Sequence, residues 1–442
     1  MSTDGPVGAP ETPEKPTGEP APATTAPRAT APPEDADGGD SFLRVFLANL
    51  WSANTVTVTV LSIFLALVIG AVLIIVSDPD VLAAFGYFTA RPADALQGSW
   101  DLVSAAYADL FKGAIVDPAA VSAAVDGTGS WSQVFAPISE TLTFAAPLIF
   151  TGLSVAIAFR GGLFNIGGQG QAIMGTIFAA VAGFTLDLPI VINLIAALLA
   201  GILGGALWGF IPGILKARTG AHEVIVTIML NYTAALFLGW LIMQDGVHDP
   251  NRTESISKTI PSSAELPALG GPLRAHLGIL LGVLVTAGVA WLLNRSAFGF
   301  ELRAVGANPA AAKTAGISVG RTYTMLMVVA GGLAGLGGAT QVLGTAHNLT
   351  PAVAGNIGFD GLLVALLGRN RPWGTFLAAI LFGALRAGGN RMQSYTGISV
   401  ELVTVLQALI VIFIAAPALV KATFHLRAAR SARLGTSMAK GW

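Results

Sequence analysis

Two short motifs, far apart in the chain, place asparagine and glycine at the same spacing beside apolar sequence. The pattern N-I-G-x-x-G begins at Asn165 and again at Asn356. The first copy continues into Gln169 and Gln171, and the second contains Asp360. Carboxamides both donate and accept hydrogen bonds. The motifs therefore suit binding of a neutral, polyhydroxylated solute better than binding of an ion.

The position of these motifs predicts breaks in membrane helices. Glycines and carboxamides at this density are tolerated in a membrane helix only where the backbone breaks and faces protein or water, because unsatisfied peptide groups in lipid are costly. A polar loop between two helices is the plainer interpretation of one copy, but two copies indicate an internal repeat of a transporter. A broken helix directs free N–H groups at the gap. The candidate residues of a substrate path are Phe164, Asn165, Gln169, Gln171, Asn231, Asn356, Phe359 and Asp360.

Two of these candidates have equally ordinary explanations. Asn231 lies eight residues beyond Glu223, about 12 Å along a helix, which is deep in the bilayer. It could line the path or make an interhelical hydrogen bond worth under about 1 kcal/mol. Asp360 is an ionisable group in a membrane segment, which marks a functional site by default, but it could also cap a helix start.

Composition identifies the chain as a membrane protein. It has 442 residues, of which 53% are hydrophobic and 11% charged, whereas soluble domains carry about 25% charged residues. A net charge of −1 argues against a nucleic-acid partner. The chain has no cysteine, and its five histidines do not show metal-ligand spacing, so no metal site is predicted.

The hydropathy pattern predicts an all-α integral membrane protein with about ten transmembrane helices, inverted repeats and broken helices. Lysine and arginine concentrate in the loops that this topology places inside, which predicts that both termini are cytoplasmic. The first five spans form one half and the last five the other, so the two motifs run in opposite directions. The predicted spans are Thr55–Val76, Thr141–Phe159, 161–185, Leu188–Leu215, Glu223–Met243, Leu277–Leu293, Tyr323–Leu343, Gly358–Leu367, Trp373–Leu385 and Val400–Val420.

Five regions follow along the chain. Residues 1–45 are proline-rich and acidic and predict a disordered cytoplasmic tail. Residues 46–139 hold the first span and an external insert. The insert contains an amphipathic segment, Ala93–Phe111, which we expect to lie on the membrane surface. The alternative is that this segment is a platform for an external partner. We expect residues 140–420 to form the transmembrane core, with 294–323 as its cytoplasmic loop, and residues 421–442 to form a basic cytoplasmic tail. Charged residues near span ends, including Glu140, Arg386 and Glu401, are explained by snorkelling.

The cytoplasmic loop contains a short helix with its own signals. Asn308 is a good N-cap, Pro309 fits the first helical position, and Gly316 ends the helix. So short a helix is stable only when it docks onto something, and another protein is expected. The chain has no phosphate-binding loop, so energy must come from an ion gradient or a separate ATPase.

Three segments carry a resemblance to a known family: Phe159–Gln171, Glu223–Tyr232 and Gly358–Arg369. They resemble the permease subunits of bacterial ABC importers in the branched-chain amino acid and sugar permease superfamily, in its nucleoside (simple sugar) branch. The stretch from Gly306 to Ile317 looks like that family's coupling loop. By this resemblance, the residues expected to contact the ATPase are Asn308, Pro309, Ala310, Ala311, Ala312, Gly316 and Ile317.

The resemblance implies a transport subunit rather than an enzyme. The chain would pass a nucleoside across the bacterial plasma membrane and bind no cofactor, with ATP and Mg on a partner ATPase. A second permease, with a heterodimer implied by the long insert, and an external substrate-binding lipoprotein would complete the assembly. An ion-coupled secondary transporter and an intramembrane enzyme are the alternatives. The first should carry several intramembrane carboxylates, and the second a nucleophile–base or metal set that the spans lack.

Overall fold

The computed structural model describes residues 55–424, and its side chains from residue 57. The predicted tail 1–45, residues 46–54 and most of the basic segment 421–442 lie outside the described residues. The described part is helical throughout, with a π-helical turn at Val342–Ala346. In chain order the helices are α1 Thr55–Ser77, α2 Pro79–Phe85, α3 Pro92–Ala114, α4 Pro118–Val125, α5 Trp131–Arg160, α6 Gly168–Thr185, α7 Ile190–Thr219, α8 Glu223–Ile242, α9 Gly278–Arg295, α10 Ala297–Ala307, α11 Pro309–Thr314, α12 Val319–Gln341, α13 Ile357–Leu367, α14 Pro372–Thr396, α15 Glu401–Ala415 and α16 Pro417–Thr423.

Within residues 55–424, six helices are long and apolar enough to cross a membrane, and α15 with α16 makes a seventh if the pair is one span bent by 89°. The six are α1, α5, α7, α8, α9 and α12 with its π turn. The expected all-α membrane fold is confirmed, but the count of about ten is not. Three predicted spans are not long and apolar enough to be counted. Helices α6 and α13 start only at the broken motifs, and α14 is rich in polar residues.

Helices α5 and α12 form the centre of the bundle. Burial covers 83% of the most apolar part of α5 and 78% of that of α12, against 22% for α1 and 28% for α7 and α8. The outer helices expose large apolar side chains such as Leu199, Leu236 and Leu284. Apolar residues facing outward and small residues facing inward are what a bundle in lipid requires.

Glycine allows the central helices to approach closely. Gly201, Gly205 and Gly209 form a strip along α7, and α12 presents Gly331 and Gly335 to it. A Cβ added at Gly205 would overlap the carbonyl oxygen of Gly331, and one added at Gly335 would overlap that of Gly201. The four-residue spacing of the α7 glycines alone predicts a smooth strip for close helix contact. The structure confirms this strip, and its partner is α12.

The insert is part of the bundle, because one face of α3 packs against other helices. Tyr107 Oη donates a 2.5 Å hydrogen bond to the Leu67 carbonyl in the middle of α1. A Cβ added at Gly388 of α14 would overlap the Leu110 carbonyl. The Thr141 hydroxyl of α5 donates to Ala114 at the end of α3 (2.6 Å). Small residues such as Ala106 and Gly113 are buried on this face of α3, whereas Leu96, Trp100 and Phe111 of the amphipathic segment are exposed. Contact of the exposed side chains with the membrane surface stays a prediction.

Candidate transport site

The first Asn-Gly element is a buried turn between α5 and α6. Asn165 is 1% exposed. Its Oδ1 accepts from the Gly167 N–H (3.1 Å), and its Nδ2 donates to Gln171 Oε1 (2.9 Å) and to the Ser154 hydroxyl (3.3 Å). Gln171 Nε2 donates back to Asn165 Oδ1 at 3.2 Å. The two carboxamides thus satisfy each other and hold the start of α6 against α5.

Asn231 of α8 fastens the same turn from the other side. Its Oδ1 accepts from the Gly170 N–H (2.8 Å), one of the free donors at the start of α6. Its Nδ2 donates to the Ile166 carbonyl (3.0 Å). The carboxamide therefore bonds both a donor and an acceptor of the interrupted backbone, which is how a broken helix becomes tolerable in a membrane.

The second element lies directly against the first. Gln169 Nε2 donates to the Gly355 carbonyl (2.7 Å), and its Oε1 accepts from the Gly358 N–H (2.8 Å). The Thr151 hydroxyl of α5 donates to the Ile357 carbonyl at 2.9 Å. A Cβ added at Gly358 would overlap the backbone of Gln169. The two copies of the motif therefore meet, joined by backbone contact and by one glutamine.

Helix α6 runs from this junction toward the loop 244–277. Asn193 Nδ2 donates to the Gly183 carbonyl in the last turn of α6 (3.2 Å) and to the Ser263 hydroxyl in the loop (2.9 Å). The same loop donates the Ala275 N–H to the Ser139 hydroxyl, near the start of α5 (2.7 Å). Helix α6 thus ends level with the beginning of α5.

Helix α13 runs the other way. It is followed by Asn370, whose carbonyl accepts from Nε of Arg160 at the end of α5 (2.9 Å). Ser139 and Arg160 are separated by about 32 Å of helix, so α6 and α13 begin together and end at opposite faces of the bundle. The predicted inverted orientation of the two elements is confirmed. The two helix starts meet at the junction, where Asn231 accepts from the Gly170 N–H and Gln169 from the Gly358 N–H.

A polar cavity of about 240 Å³ lies beside the junction; we call it the inner cavity. Its walls come from α5, the segment 352–357, α13, α14 and α15. The polar side chains that line it are Gln341, Asn356, Asp360, Arg386, Glu401, Thr404 and Gln407. Two carboxylates, one guanidinium and three carboxamides supply both donors and acceptors, which suits a neutral solute rich in hydroxyl or N–H groups.

Five of these seven lining residues were missed by the sequence reasoning, and two of the five are charged. Arg386 and Glu401 were assigned to snorkelling at span ends, but both face the inner cavity with Asp360. Helix α14 does not end at Leu385 as predicted; it continues to Thr396. Arg386 is therefore 14 residues from the helix start, about 21 Å along its axis. Helix propensity could not have placed it, because Gly388, Gly389 and Asn390 in the extension are poor helix formers.

The remaining predicted path residues divide into two groups. Asn356 and Asp360 line the inner cavity, and Asn356 makes no capping bond with its side chain. Asn165, Gln169, Gln171 and Asn231 hold the junction together. Phe164 and Phe359 are half exposed and do not line the cavity; the ring of Phe164 packs edge-on against that of Phe159 at 4.7 Å between centroids. Contact of any of the eight residues with solute stays a prediction.

The short helix that the sequence predicts for the loop 294–323 forms with the predicted cap. Asn308 Oδ1 accepts from the N–H groups of Ala310 (3.0 Å) and Ala311 (3.1 Å), and α11 spans Pro309–Thr314. Ala312 is buried, and Gly316 has a φ of 85° just beyond the helix end. These are the positions where an N-cap and a left-handed glycine belong. The helix is confirmed, and its docking partner stays a prediction.

Helix α10 connects this loop to the junction. Gly306 in its last turn lies against the backbone of Arg160 and Gly161, and an added Cβ would overlap the Arg160 carbonyl oxygen. Gly162, with a φ of 77°, approaches Gly306 from the other side, at 3.1 Å from its ideal Cβ to the Gly306 Cα. The chain reaches Asn165 three residues later. Helix α10 therefore packs directly on the turn before α6.

Inverted broken helices around a polar cavity, in a bundle with several apolar spans, define a multi-pass membrane permease. The family described as branched-chain amino acid transport system / permease component matches residues 138–415. The match covers more than half of the chain, and the chain belongs to this family. A permease subunit is favoured over the ion-coupled transporter.

Three relatives are similar over most of their own length. The chain is 40% identical over 292 residues to the guanosine ABC transporter permease protein NupP of Bacillus subtilis, covering 64% of this chain and 83% of NupP. It is 38% identical to the nucleoside ABC transporter permease protein NupB of Lactococcus lactis, over 63% and 79%. It is 30% identical to the glucose ABC transporter permease protein TsgB13 of Haloferax volcanii, over 63% and 75%. No solved structure matches the chain.

Proposed function

We propose that this chain is the permease subunit of an ATP-driven importer that passes a nucleoside across the bacterial plasma membrane, with both termini in the cytoplasm. The observation that carries the proposal is the inner cavity beside the two inverted Asn-Gly elements. Its lining offers carboxylates and carboxamides to a neutral solute, and Asn356 and Asp360 at the start of α13 are part of it. The substrate path runs through this cavity.

Nucleosides fit this lining because they carry ribose hydroxyls and base N–H groups and no charge. Carboxylates such as Asp360 and Glu401 accept from those donors, and Gln341 and Gln407 can accept or donate. The relatives named for guanosine and nucleosides support this substrate class. The relative named for glucose makes a simple sugar the second candidate, since hydroxyl recognition serves both.

The partners follow from the same proposal. NupP and NupB each have a companion permease in the same organism, NupQ and NupC, which supports a heterodimer of two permeases. A separate cytoplasmic ATPase would hold ATP and Mg and hydrolyse the nucleotide, and this chain would bind no cofactor. An external substrate-binding lipoprotein would deliver the solute.

The site of ATPase contact is tested on α11. Asn308→Ala removes the N-cap, which stabilises a helix by about 1 kcal/mol, so α11 should fray and less ATPase should co-purify with the permease. Thr314→Ala is the matched control, because its hydroxyl bonds only the carbonyl of its own helix. Equal ATPase recovery with wild type and Asn308→Ala would argue against α11 as the docking helix.

Uptake by the complete transporter in sealed vesicles tests the function. Radiolabelled guanosine and uridine should enter with ATP supplied and with ion gradients collapsed, and glucose should not compete. Uptake that follows a sodium or proton gradient without ATP would overturn the ATP-driven proposal. Uptake of glucose in preference to either nucleoside would make the second candidate correct.

A further inference from the structure

A second, larger cavity opens next to the inner cavity, on the face of the bundle that carries the insert. We call it the outer basin; its volume is about 600 Å³, which is within the range of small-molecule sites. The end of α3, the start of α4, the first turns of α5 and the last turns of α14 line it. Phe144 of α5 lines both cavities, so they are adjacent and share one aromatic wall.

The charged side chains of the outer basin are matched in pairs. Arg391 of α14 binds Asp117, between α3 and α4, at 2.6 Å from Nη2 to Oδ2. Arg274, from the loop 244–277, binds Glu140 of α5 at 3.0 Å. Four charges therefore cancel, and the basin offers an ion no net attraction. Neutral polar groups remain for a ligand.

Polar side chains connect the outer basin to the inner cavity along one face of α14. Arg386, Asn390 and Ser394 are four residues apart, which places them on the same side of the helix at steps of about 6 Å. Arg386 faces the inner cavity, while Asn390 and Ser394 face the outer basin. A solute leaving the basin would meet a polar group at each turn of α14.

An aromatic side chain completes the basin. Tyr395 is 70% exposed, and the Arg391 guanidinium lies 4.8 Å from the centre of its ring. The guanidinium covers one face of the ring and leaves the other for a planar group. Phe144 supplies a second aromatic surface at the boundary with the inner cavity. Aromatic rings next to a carboxamide and a hydroxyl are what a nucleobase with an attached sugar requires.

We propose that the outer basin is a second binding site for the nucleoside, occupied before the inner cavity and built by the insert. Tyr395 stacks with the base, Asn390 and Ser394 bind the ribose hydroxyls, and Phe144 separates the two sites. This inference rests on the proposed function, since the ligand is the nucleoside that the transporter carries.

The absence of cysteine from the 442-residue sequence makes a direct test possible. In the assembled transporter, Ala136→Cys would be labelled by a small water-soluble thiol reagent, and mass spectrometry of this chain would report the rate. Ala136 is exposed and lines the basin but makes none of the proposed contacts with the nucleoside. Saturating guanosine or uridine should slow labelling by roughly fivefold or more, as for a site about four-fifths occupied. Gln393→Cys is the control, because Gln393 is also exposed and does not line the basin.

Each outcome of the labelling is decisive. Protection of Ala136→Cys alone supports the basin as a binding site. Equal slowing of both variants would reveal closure of the whole face and overturn the proposal. Labelling of Ala136→Cys that nucleoside does not slow, in a transporter that takes up nucleoside, would also overturn it. If the assembled transporter takes up no nucleoside, the proposed function is contradicted rather than the second binding site.

A kinetic measurement separates stacking from a structural role of the tyrosine. Tyr395→Ala should raise the KM for nucleoside uptake roughly tenfold with little change in the maximal rate, because base stacking is lost. Tyr395→Phe keeps the ring and should keep the wild-type KM. A wild-type KM in Tyr395→Ala, with normal assembly, would exclude Tyr395 from the site.

Discussion

Gln169 and Gly358 join the two inverted elements at one point. The Gln169 Oε1 accepts the Gly358 N–H at 2.8 Å, its Nε2 donates to the Gly355 carbonyl at 2.7 Å, and a Cβ at Gly358 would overlap the Gln169 backbone. One side chain thus satisfies two backbone groups of the other half of the repeat. The relative position of the two helix starts depends on this contact.

Loss of the glutamine should loosen the junction. Gln169→Ala removes two buried hydrogen bonds and leaves a buried N–H of Gly358 without its acceptor, at a cost of about 2–4 kcal/mol. We expect a lower thermal unfolding temperature of the purified permease and at least a severalfold loss of uptake. Gln244→Ala is the control, since Gln244 bonds only the Trp240 carbonyl of its own segment. Wild-type stability in Gln169→Ala would contradict this role.

Gly358 should tolerate no side chain. Gly358→Ala forces the backbones of the two elements apart, because the overlap is with backbone that cannot rotate away. Uptake should be abolished, or the permease should fail to assemble, as judged by size-exclusion chromatography. Gly288→Ala is the matched control, because nothing lies within 4 Å of the added Cβ. If Gly358→Ala transports like Gly288→Ala, the two elements do not depend on this contact.

The contact of Gly306 with Arg160 and Gly161 should transmit ATP hydrolysis to the junction. A methyl group at Gly306 overlaps the Arg160 carbonyl and displaces α10 from the turn before α6. Gly306→Ala should therefore keep ATPase binding but lower the number of nucleosides moved per ATP. Gly320→Ala, where the added Cβ meets ordinary contacts from 3.5 Å, is the control. An unchanged ratio of transport to hydrolysis would argue against this route.

The ion pair between Asp117 and Arg391 gives a pH dependence. Partial burial raises the pKa of the Asp117 carboxyl, but the Ala119 N–H and the Arg391 guanidinium outweigh burial and hold that pKa below its usual range. A lowered pKa in the folded state contributes stability above the unfolded pKa of about 3.9, and this is lost as pH falls through the folded value.

Asp117→Asn should therefore lower the thermal unfolding temperature at pH 7, and the difference from wild type should shrink below about pH 4. Asp126→Asn, in the same insert, is the control, and unfolding scans between pH 7 and pH 3.5 provide the measurement. A difference that stays constant over this range would mean that the charge of Asp117 contributes nothing to stability.

Elements that depend on interactions between residues close together in the chain could be predicted from the sequence. The cap at Asn308, the glycine strip of α7 and the two inverted breaks each follow from residue types and spacing. The location of Arg386 and Glu401 did not follow, because an arginine at a span end and one inside a long polar helix look alike in sequence. The packing of α3 was missed because periodicity identifies a covered face without identifying what covers it.

The role of the carboxamides in the first Asn-Gly element could not be predicted from the sequence either. Asn165, Gln171 and Asn231 were predicted to line a path, yet their buried positions bind them to one another and to the interrupted backbone. A carboxamide can make the same hydrogen bonds to a solute and to the open backbone of a broken helix. The sequence therefore cannot distinguish a residue that binds solute from one that stabilises the break. The exposed Asn356, on the inner cavity, is the better probe of the path.

The central claim is that the solute passes through the inner cavity beside the junction. Uptake after chemical modification of Asn356→Cys tests this claim most directly. A small water-soluble thiol reagent should label this position in the inner cavity and abolish nucleoside uptake, and excess nucleoside should slow both labelling and inactivation. The same reagent on Gln244→Cys, outside the cavity, should leave uptake unchanged. Full uptake by a completely labelled Asn356→Cys transporter would show that the solute does not pass beside the junction of the two elements.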